Sequence, residues 1–331
     1  MSDCHLYKLP NELLLHLFSP IATSELLPLT GISRRLSTVI LRILHNRLVA
    51  AADLDSHSLL LECYHPSVKL FEPPYFCTYQ GTDGLSLYEA ESEEDNIGAR
   101  LGKMQNMYSR FRPHQRELEE GGRRVLRRPG DVPGSRTFSG TAKDEYQGEK
   151  VKQALSLESH ELFTQLVAQT NLVKIGPRHG LFTSFVDVEE GVLRVWKNWL
   201  AEAAAKCRQS QAGAQVEVIE DIGKVKGKEI EKEVDVEVKE RELDLRDPQI
   251  LWVSQSKNSG IRFNVRERKF RRDAPILIRA DEGMPVSYEI EYDELLVRTS
   301  HLLFALEKSL VQEDNSSGKA VVFGSFGSMQ N

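Results

Sequence analysis

The chain has 331 residues, 40% hydrophobic and 28% charged, which is enough apolar material for one large domain or two ordinary ones. Its formal net charge of -6 argues against binding along a polyanion such as nucleic acid or an acidic membrane surface. The four cysteines are widely separated, and no run typical of a signal peptide or a membrane span is evident, so we expect free thiols in the cytoplasm or nucleus.

A dense apolar run, LPNELLLHLFSP, occupies residues 9–20 and predicts a helix between two prolines. Pro10 suits the first helical turn because its missing N–H would have no intrahelical acceptor, and Pro20 prevents the helix from continuing. Ser24 and Ser33 are candidate N-caps for a second and a third helix. Apolar positions recur at helical spacing as far as residue 49, so we expect three helices.

The first helix carries more apolar residues than one core-facing stripe requires. Leu9, Leu13 and Leu17 follow one line along it, while Leu14 and Phe18 follow the next. Three short helices within about forty residues bury little surface, and units of that size commonly need a partner or another staple. We therefore expect one face to close a small helical core and the other to contact a partner protein.

These residues resemble the F-box family over roughly residues 5–50. The family's order and spacing are matched by Leu9-Pro10, Glu12-Leu13-Leu14, Leu26-Leu27-Leu29 and Ser33-Arg34-Arg35. The resemblance implies that this segment docks on the Skp-family adaptor, and through it on the cullin, of a ubiquitin ligase, while the rest of the chain selects the target. The residues that it assigns to the adaptor contact are Leu9, Pro10, Leu13, Leu14, Leu17, Phe18, Leu26, Leu27 and Leu36.

Two other interpretations of the three helices stay open. In the first, the leucines are simply the core of a helical subdomain that packs on the β region and contact no partner. Alternatively, the helices can be a helix-turn-helix whose arginines, at positions 34, 35, 42 and 47, contact DNA. Residues 1–50 hold five Lys or Arg against three acidic residues, a weak excess for a DNA-binding module.

Residues 55–331 are predicted to form a mainly β domain that ends in a helix from about Asp293 to Val311. Short apolar runs broken by Pro and Gly predict the strands, with a turn at Glu189 to Gly191 and a further strand at 275–280. Residues 89–150 and 201–246 lose this pattern and are predicted to be flexible insertions, apart from a short helix from Ile97 to Tyr108. The predicted fold is therefore α+β, a small three-helix F-box followed by a sandwich-like β domain.

No constellation of residues predicts catalysis, a cofactor or a metal. Cys63, His65 and Cys77 lack the fourth ligand that a structural zinc site needs. The Arg-rich stretch at 121–130 is an import signal, a basic patch or a solvated loop. We expect a non-catalytic substrate receptor of an SCF-type cullin–RING ligase.

The alternative is an F-box-like protein with a non-degradative adaptor role or a lectin-like ligand-binding role. The target itself is a protein or a glycoprotein. An exposed Trp or Tyr on one face of the β domain would point to a glycan, and an apolar or basic groove would point to a protein segment.

Overall fold

A computed structural model of the chain describes residues 5–54, 56–66, 74–84, 97–114, 150–175, 182–222, 244–268 and 285–315. Within these residues the chain is an α+β protein with a β-rich region. The described part contains six α-helices: α1 Asn11–Phe18, α2 Thr23–Leu29, α3 Arg34–Asp53, α4 Ile97–Gln105, α5 Lys197–Ile222 and α6 Thr299–Asn315.

Helices α1–α3 form a helical unit whose geometry is set by two arginines of α3. Arg35 Nε donates to Asn11 Oδ1 at 2.9 Å, and Arg47 Nη2 donates to the Ser19 carbonyl at 2.8 Å. Because the first bond lies at the start of both helices and the second lies beyond the end of α1, α1 runs alongside α3 in the same direction. Helix α2 begins beside Arg47, where Thr23 Oγ1 accepts a bond at 2.8 Å, and leads back to the start of α3.

The two predicted N-caps have different outcomes. Ser33 caps α3, since its Oγ accepts a hydrogen bond from the Leu36 N–H at 3.3 Å, which confirms the prediction. Ser24 does not cap α2, because that helix already begins at Thr23 and places Ser24 inside its first turn. Helix α3 ends at Leu54, whose φ of 55° lies in the left-handed region that stops a helix.

The strands of the described residues form one nine-stranded sheet in which every pairing is antiparallel. The spatial order is β6-β5-β1-β2-β3-β9-β8-β7, and β4 pairs with β9 beside β3. The strands are β1 His57–Tyr64, β2 Tyr75–Asp83, β3 Tyr108–His114, β4 Lys152–Leu157, β5 Phe163–Ile175, β6 Phe182–Trp196, β7 Ile250–Trp252, β8 Ser259–Glu267 and β9 Val286–Arg298.

The sheet curls until its two ends nearly meet, so the predicted sandwich is corrected to a single, nearly closed sheet. At the seam, a Cβ on Gly191 of β6 would lie only 2.7 Å from both the Cγ1 and the carbonyl oxygen of Val253. Trp199 Nε1 crosses the same seam and donates to the Pro248 carbonyl at 2.6 Å. β-bulges, such as the one between Arg262 and Phe263, favour the strong coiling that long strands need to curl. A sandwich and a curled sheet both alternate inward and outward residues, and the sequence pattern therefore could not separate them.

The predicted turn at Glu189 to Gly191 is also wrong, because β6 continues through these residues without a break. Gly191 serves instead to let the backbone of β6 approach Val253 closely. A glycine that follows two glutamates is a turn signal when a strand is read alone. Here the absence of a side chain on Gly191 leaves room for Val253 across the seam.

The main core lies on the concave face of the sheet. It is filled by alternate residues of the strands, such as Leu59, Leu61 and Cys63 of β1. Helix α5 leaves the end of β6 and adds Leu200 and two buried alanines to this core. Helix α6 packs along the other end of β6, where Ser309 Oγ lies 2.5 Å from Ser184 Oγ and 2.9 Å from His57 Nε2.

The core of the helical unit is continuous with the β-rich region rather than separate from it. Leu303 of α6, together with Met104 and Met107, packs into the same cluster as the leucines of α1, α2 and α3. Glu307 of α6 also accepts from the backbone N–H of Thr23 at 3.2 Å and pairs with Arg47 at 3.2 Å. The helical unit is therefore held against α6 by apolar packing and by an ion pair.

Both predicted insertions contain ordered elements. The range 89–150 includes α4, which confirms the predicted short helix, and β3, an inner strand of the sheet. Strand β3 was not predicted because it contains polar residues, which are buried here with hydrogen-bond partners. Ser109 Oγ of β3 lies 2.9 Å from Thr299 Oγ1, and His114 Nε2 of β3 lies 2.7 Å from Thr78 Oγ1. The range 201–246 includes most of α5.

The closing helix begins later than predicted, because residues 293–298 belong to β9. The predicted strands at 250–255 and 261–268 correspond to β7 and β8. The Arg-rich stretch at 121–130 and the predicted strand at 275–280 lie outside the described residues.

Candidate partner surface of the helical unit

The structure divides the nine residues predicted for the adaptor contact into two groups. The first group is buried in the core of the helical unit and comprises Leu14, Phe18, Leu26 and Leu36. The second group lies at the surface and comprises Leu9, which is half-buried, and Pro10, Leu13, Leu17 and Leu27, which are exposed. Only the second group can meet a partner without opening the core.

The exposed face of α1 is a continuous apolar stripe, because Pro10, Leu13 and Leu17 are three and four residues apart. Leu13 is 51% exposed and Leu17 is 49% exposed, whereas Leu14 next to them is 1% exposed. Helix α1 packs on α3 through Leu14 and Phe18, which are also four residues apart. A helix of eight residues thus carries two apolar faces and covers only one of them within the described chain.

Two further apolar side chains extend this surface onto α2 and the turn after it. Leu27 of α2 is exposed although its neighbour Leu26 is fully buried. Ile32, which the sequence reasoning missed, is more exposed than any of the leucines in the predicted set. We refer to Pro10, Leu13, Leu17, Leu27 and Ile32 as the helical apolar surface.

A signal for Ile32 exists in the sequence. An apolar residue just before an N-cap usually packs on the fourth residue of the helix as a hydrophobic staple. Here the cap is Ser33 and the fourth residue is the polar Ser37, so the position that would receive Ile32 in a staple is not apolar.

Arg35 fixes the position of the helical apolar surface. Besides Asn11, its guanidinium donates to the carbonyl oxygen of Leu9, which ties the first turn of α1 to the first turn of α3. The turn that carries Ile32 immediately precedes that point, so Ile32 lies at the same end of the unit as Pro10. The surface is therefore set by bonds within the unit before any partner arrives.

The arginines of α3 bear on the DNA-binding interpretation. Arg47 donates to the carbonyls of Ser19 and Ile21 at 2.8 Å and 2.6 Å and pairs with Glu307. Arg35 is likewise bonded to α1. Two of the four arginines considered for DNA contact are thus used to hold the unit together, which leaves little positive charge for phosphates.

The three residues considered for zinc do not assemble into a site. Within the described residues, no three His, Cys, Asp or Glu side chains are grouped so that they could hold a metal ion. Cys63 and Cys77 are buried, and burial raises the pKa of the Cys77 thiol far above its usual range. Cys77 is therefore a protonated core thiol rather than a thiolate ligand.

Across the described ranges, no helix combines the length and apolarity needed to cross a membrane.

Comparison with known proteins assigns the chain to no family. No protein-family model, no curated protein and no solved structure matches it.

Proposed function

We propose that the chain is the non-catalytic substrate receptor of an SCF-type cullin–RING ubiquitin ligase. In this proposal the helical apolar surface binds the Skp-family adaptor, and through it the cullin, while the β-rich region holds a target protein in the cytoplasm or nucleus. The receptor would act by proximity, because it raises the local concentration of the target's lysines at the transfer site. No cofactor and no metal take part.

The observation that carries the proposal is the uncovered face of α1. Leu13 and Leu17 are half exposed on a helix whose opposite face is fully packed, and they belong to the F-box-like pattern. Exposed apolar patches of this kind mark protein interaction sites. The four buried residues of the predicted set support the surface from beneath.

The proposal is tested by co-purification of the full chain with a Skp-family adaptor and a cullin. We expect the wild-type chain to retain both partners. The double variant Leu13→Ala with Leu17→Ala should retain about tenfold less adaptor than the wild type, because a few central interface side chains contribute most of the binding energy. The matched control is Leu310→Ala with Val311→Ala, which truncates two exposed apolar residues of α6 and should retain the adaptor.

Circular dichroism and thermal unfolding verify that each variant is folded. Failure of the wild-type chain to bind the adaptor, or full retention by the α1 double variant, would overturn the proposal. Retention of the adaptor without the cullin would instead support the non-degradative role.

A further inference from the structure

A second exposed apolar cluster lies on the outer face of the sheet, where β5 begins and β6 ends. We refer to Leu162, Phe163, Val192, Arg194 and Trp196 as the distal patch. Leu162 is 69% exposed and Trp196 is 47% exposed, and the other apolar members are exposed as well. The outward face of an antiparallel sheet normally carries polar side chains, so an exposed Trp and Phe side by side need an explanation.

The strand pairing places these residues on one face. Phe163 pairs with Trp196 and Val167 pairs with Val192, so residues 192, 194 and 196 of β6 point outward together with residue 163 of β5. The ring centroids of Phe163 and Trp196 are 5.0 Å apart. The guanidinium carbon of Arg194 lies 5.9 Å from the centroid of the Phe163 ring.

The loop that carries Leu162 is held in place by hydrogen bonds. The backbone N–H of Lys197 donates to the Leu162 carbonyl at 2.9 Å, and Lys197 Nζ donates to the Ser159 carbonyl at 3.3 Å. The backbone N–H of Glu158 donates to Glu161 Oε2 at 2.8 Å. The distal patch is therefore an ordered platform, which lowers the entropy cost of binding.

The charge of the distal patch indicates the chemistry of its occupant. Arg194 has no carboxylate partner among the described residues, and its cation lies over the ring of Phe163. Trp, Phe and Arg in one cluster have the composition of a protein-binding hot spot. A carboxylate next to an apolar side chain complements this arrangement, because it can pair with Arg194 while the apolar group packs on the rings.

The distal patch lies far from the helical unit. Strand β1 starts at His57, just after α3, and His57 pairs with Lys174 of β5. From Lys174 the strand extends eleven residues to Phe163, which corresponds to about 35 Å at the usual rise of a strand. A partner on the distal patch and a partner on α1 can therefore bind at the same time.

We propose that the distal patch binds a protein segment that combines an aromatic or aliphatic side chain with an adjacent Asp or Glu. The apolar side chain packs on Phe163 and Trp196, and the carboxylate pairs with Arg194. The aliphatic Leu162 and Val192 favour a protein over a glycan, whose hydroxyls require polar neighbours around the ring. That this segment belongs to a ubiquitination target rests on the proposed function, but the binding chemistry does not.

The test selects binders for the immobilised full chain from a phage-displayed library of random short peptides. We expect the selected peptides to share an acidic residue next to an apolar one, and a synthetic peptide of that sequence to bind Trp196→Ala at least about tenfold more weakly than wild type. The charge reversal Arg194→Glu should weaken the acidic peptide and favour the same peptide with Lys in place of its acidic residue. Val311→Ala, an exposed apolar residue elsewhere, should bind like wild type.

Selected peptides without an acidic preference, or equal binding to wild type, Trp196→Ala and Arg194→Glu, would overturn the proposal. A glycan-array signal that disappears in Trp196→Ala would also overturn it, in favour of a sugar. The adaptor variant Leu13→Ala with Leu17→Ala should bind the peptide normally. Loss of adaptor binding and loss of peptide binding are thereby separate results.

Discussion

The helical unit and the curled sheet differ in how completely they bury their apolar residues. In the helical unit, sequence neighbours have opposite environments: Leu13 is exposed and Leu14 is buried, and Leu27 is exposed and Leu26 is buried. In the sheet, alternate residues of long strands fill one concave core, and the exposed apolar side chains collect mainly at one end of β5 and β6. The two regions thus present apolar surfaces at opposite ends of the molecule.

The difference follows from size. Helices of eight and seven residues offer α3 too little area to cover all their apolar side chains, so some remain at the surface. A sheet of nine strands encloses a large core, and an exposed aromatic pair on it is not a consequence of limited area. Exposed leucines in the helical unit are explained by its small size alone, and they indicate a partner only under the proposed function. The exposed aromatic pair of the distal patch has no such explanation.

The largest expected effect separates the two faces of α1. Leu14→Ala should lower the free energy of unfolding by about 2–5 kcal/mol, because it leaves a cavity in the helical core. Leu13→Ala, the matched control one residue away, should change it by no more than about 0.5 kcal/mol. Urea denaturation measures both, and an equal cost for the two variants would mean that the outer face of α1 is packed as well.

The next effect concerns the closure of the sheet. Gly191→Ala should lower the free energy of unfolding by about 1–3 kcal/mol, because the new methyl group would meet Val253 at 2.7 Å. Gly102→Ala in α4 has open space around its Cβ position and should be neutral or stabilising. Thermal unfolding compares the two variants. If Gly191→Ala were as stable as Gly102→Ala, the seam between β6 and β7 would be open.

The smallest effect concerns the caps of the helical unit. Ser33→Ala should lower the free energy of unfolding by about 1 kcal/mol, because the Leu36 N–H loses its acceptor. Ser24→Ala removes an exposed hydroxyl from the first turn of α2, where it caps nothing, and should have no cost. The ranking is read from urea midpoints, and a larger loss for Ser24→Ala would mean that Ser24 is the cap and that α2 begins two residues later, at Glu25.

The sequence allowed the helices of the N-terminal unit and most strands to be predicted, since local periodicity decides both. It could not show which apolar face of α1 is covered, because that depends on where α3 lies. Leu14 and Phe18 fit an outer face as well as an inner one when the helix is considered alone. Ile32 was missed because a residue outside a helix has no place in a helical pattern.

The errors in the β-rich region have the same origin in contacts between distant residues. The sequence of β3 has the pattern of a loop, but in the structure Thr299 and Thr78 provide hydrogen-bond partners for its polar residues. In the sequence Gly191 indicates a turn, but in the structure it lies within β6 and allows the close approach of Val253 across the seam. Trp196 and Trp199 look alike in sequence, yet one is exposed beside Phe163 and the other donates to Pro248 across the seam.

Hydrogen exchange of the full chain with and without a saturating purified Skp-family adaptor tests the central claim most directly. We expect slower exchange in the first turn of α1 and in the turn that carries Ile32, with no change at Phe163 or Trp196. Unchanged exchange in α1, or protection confined to the distal patch, would contradict it.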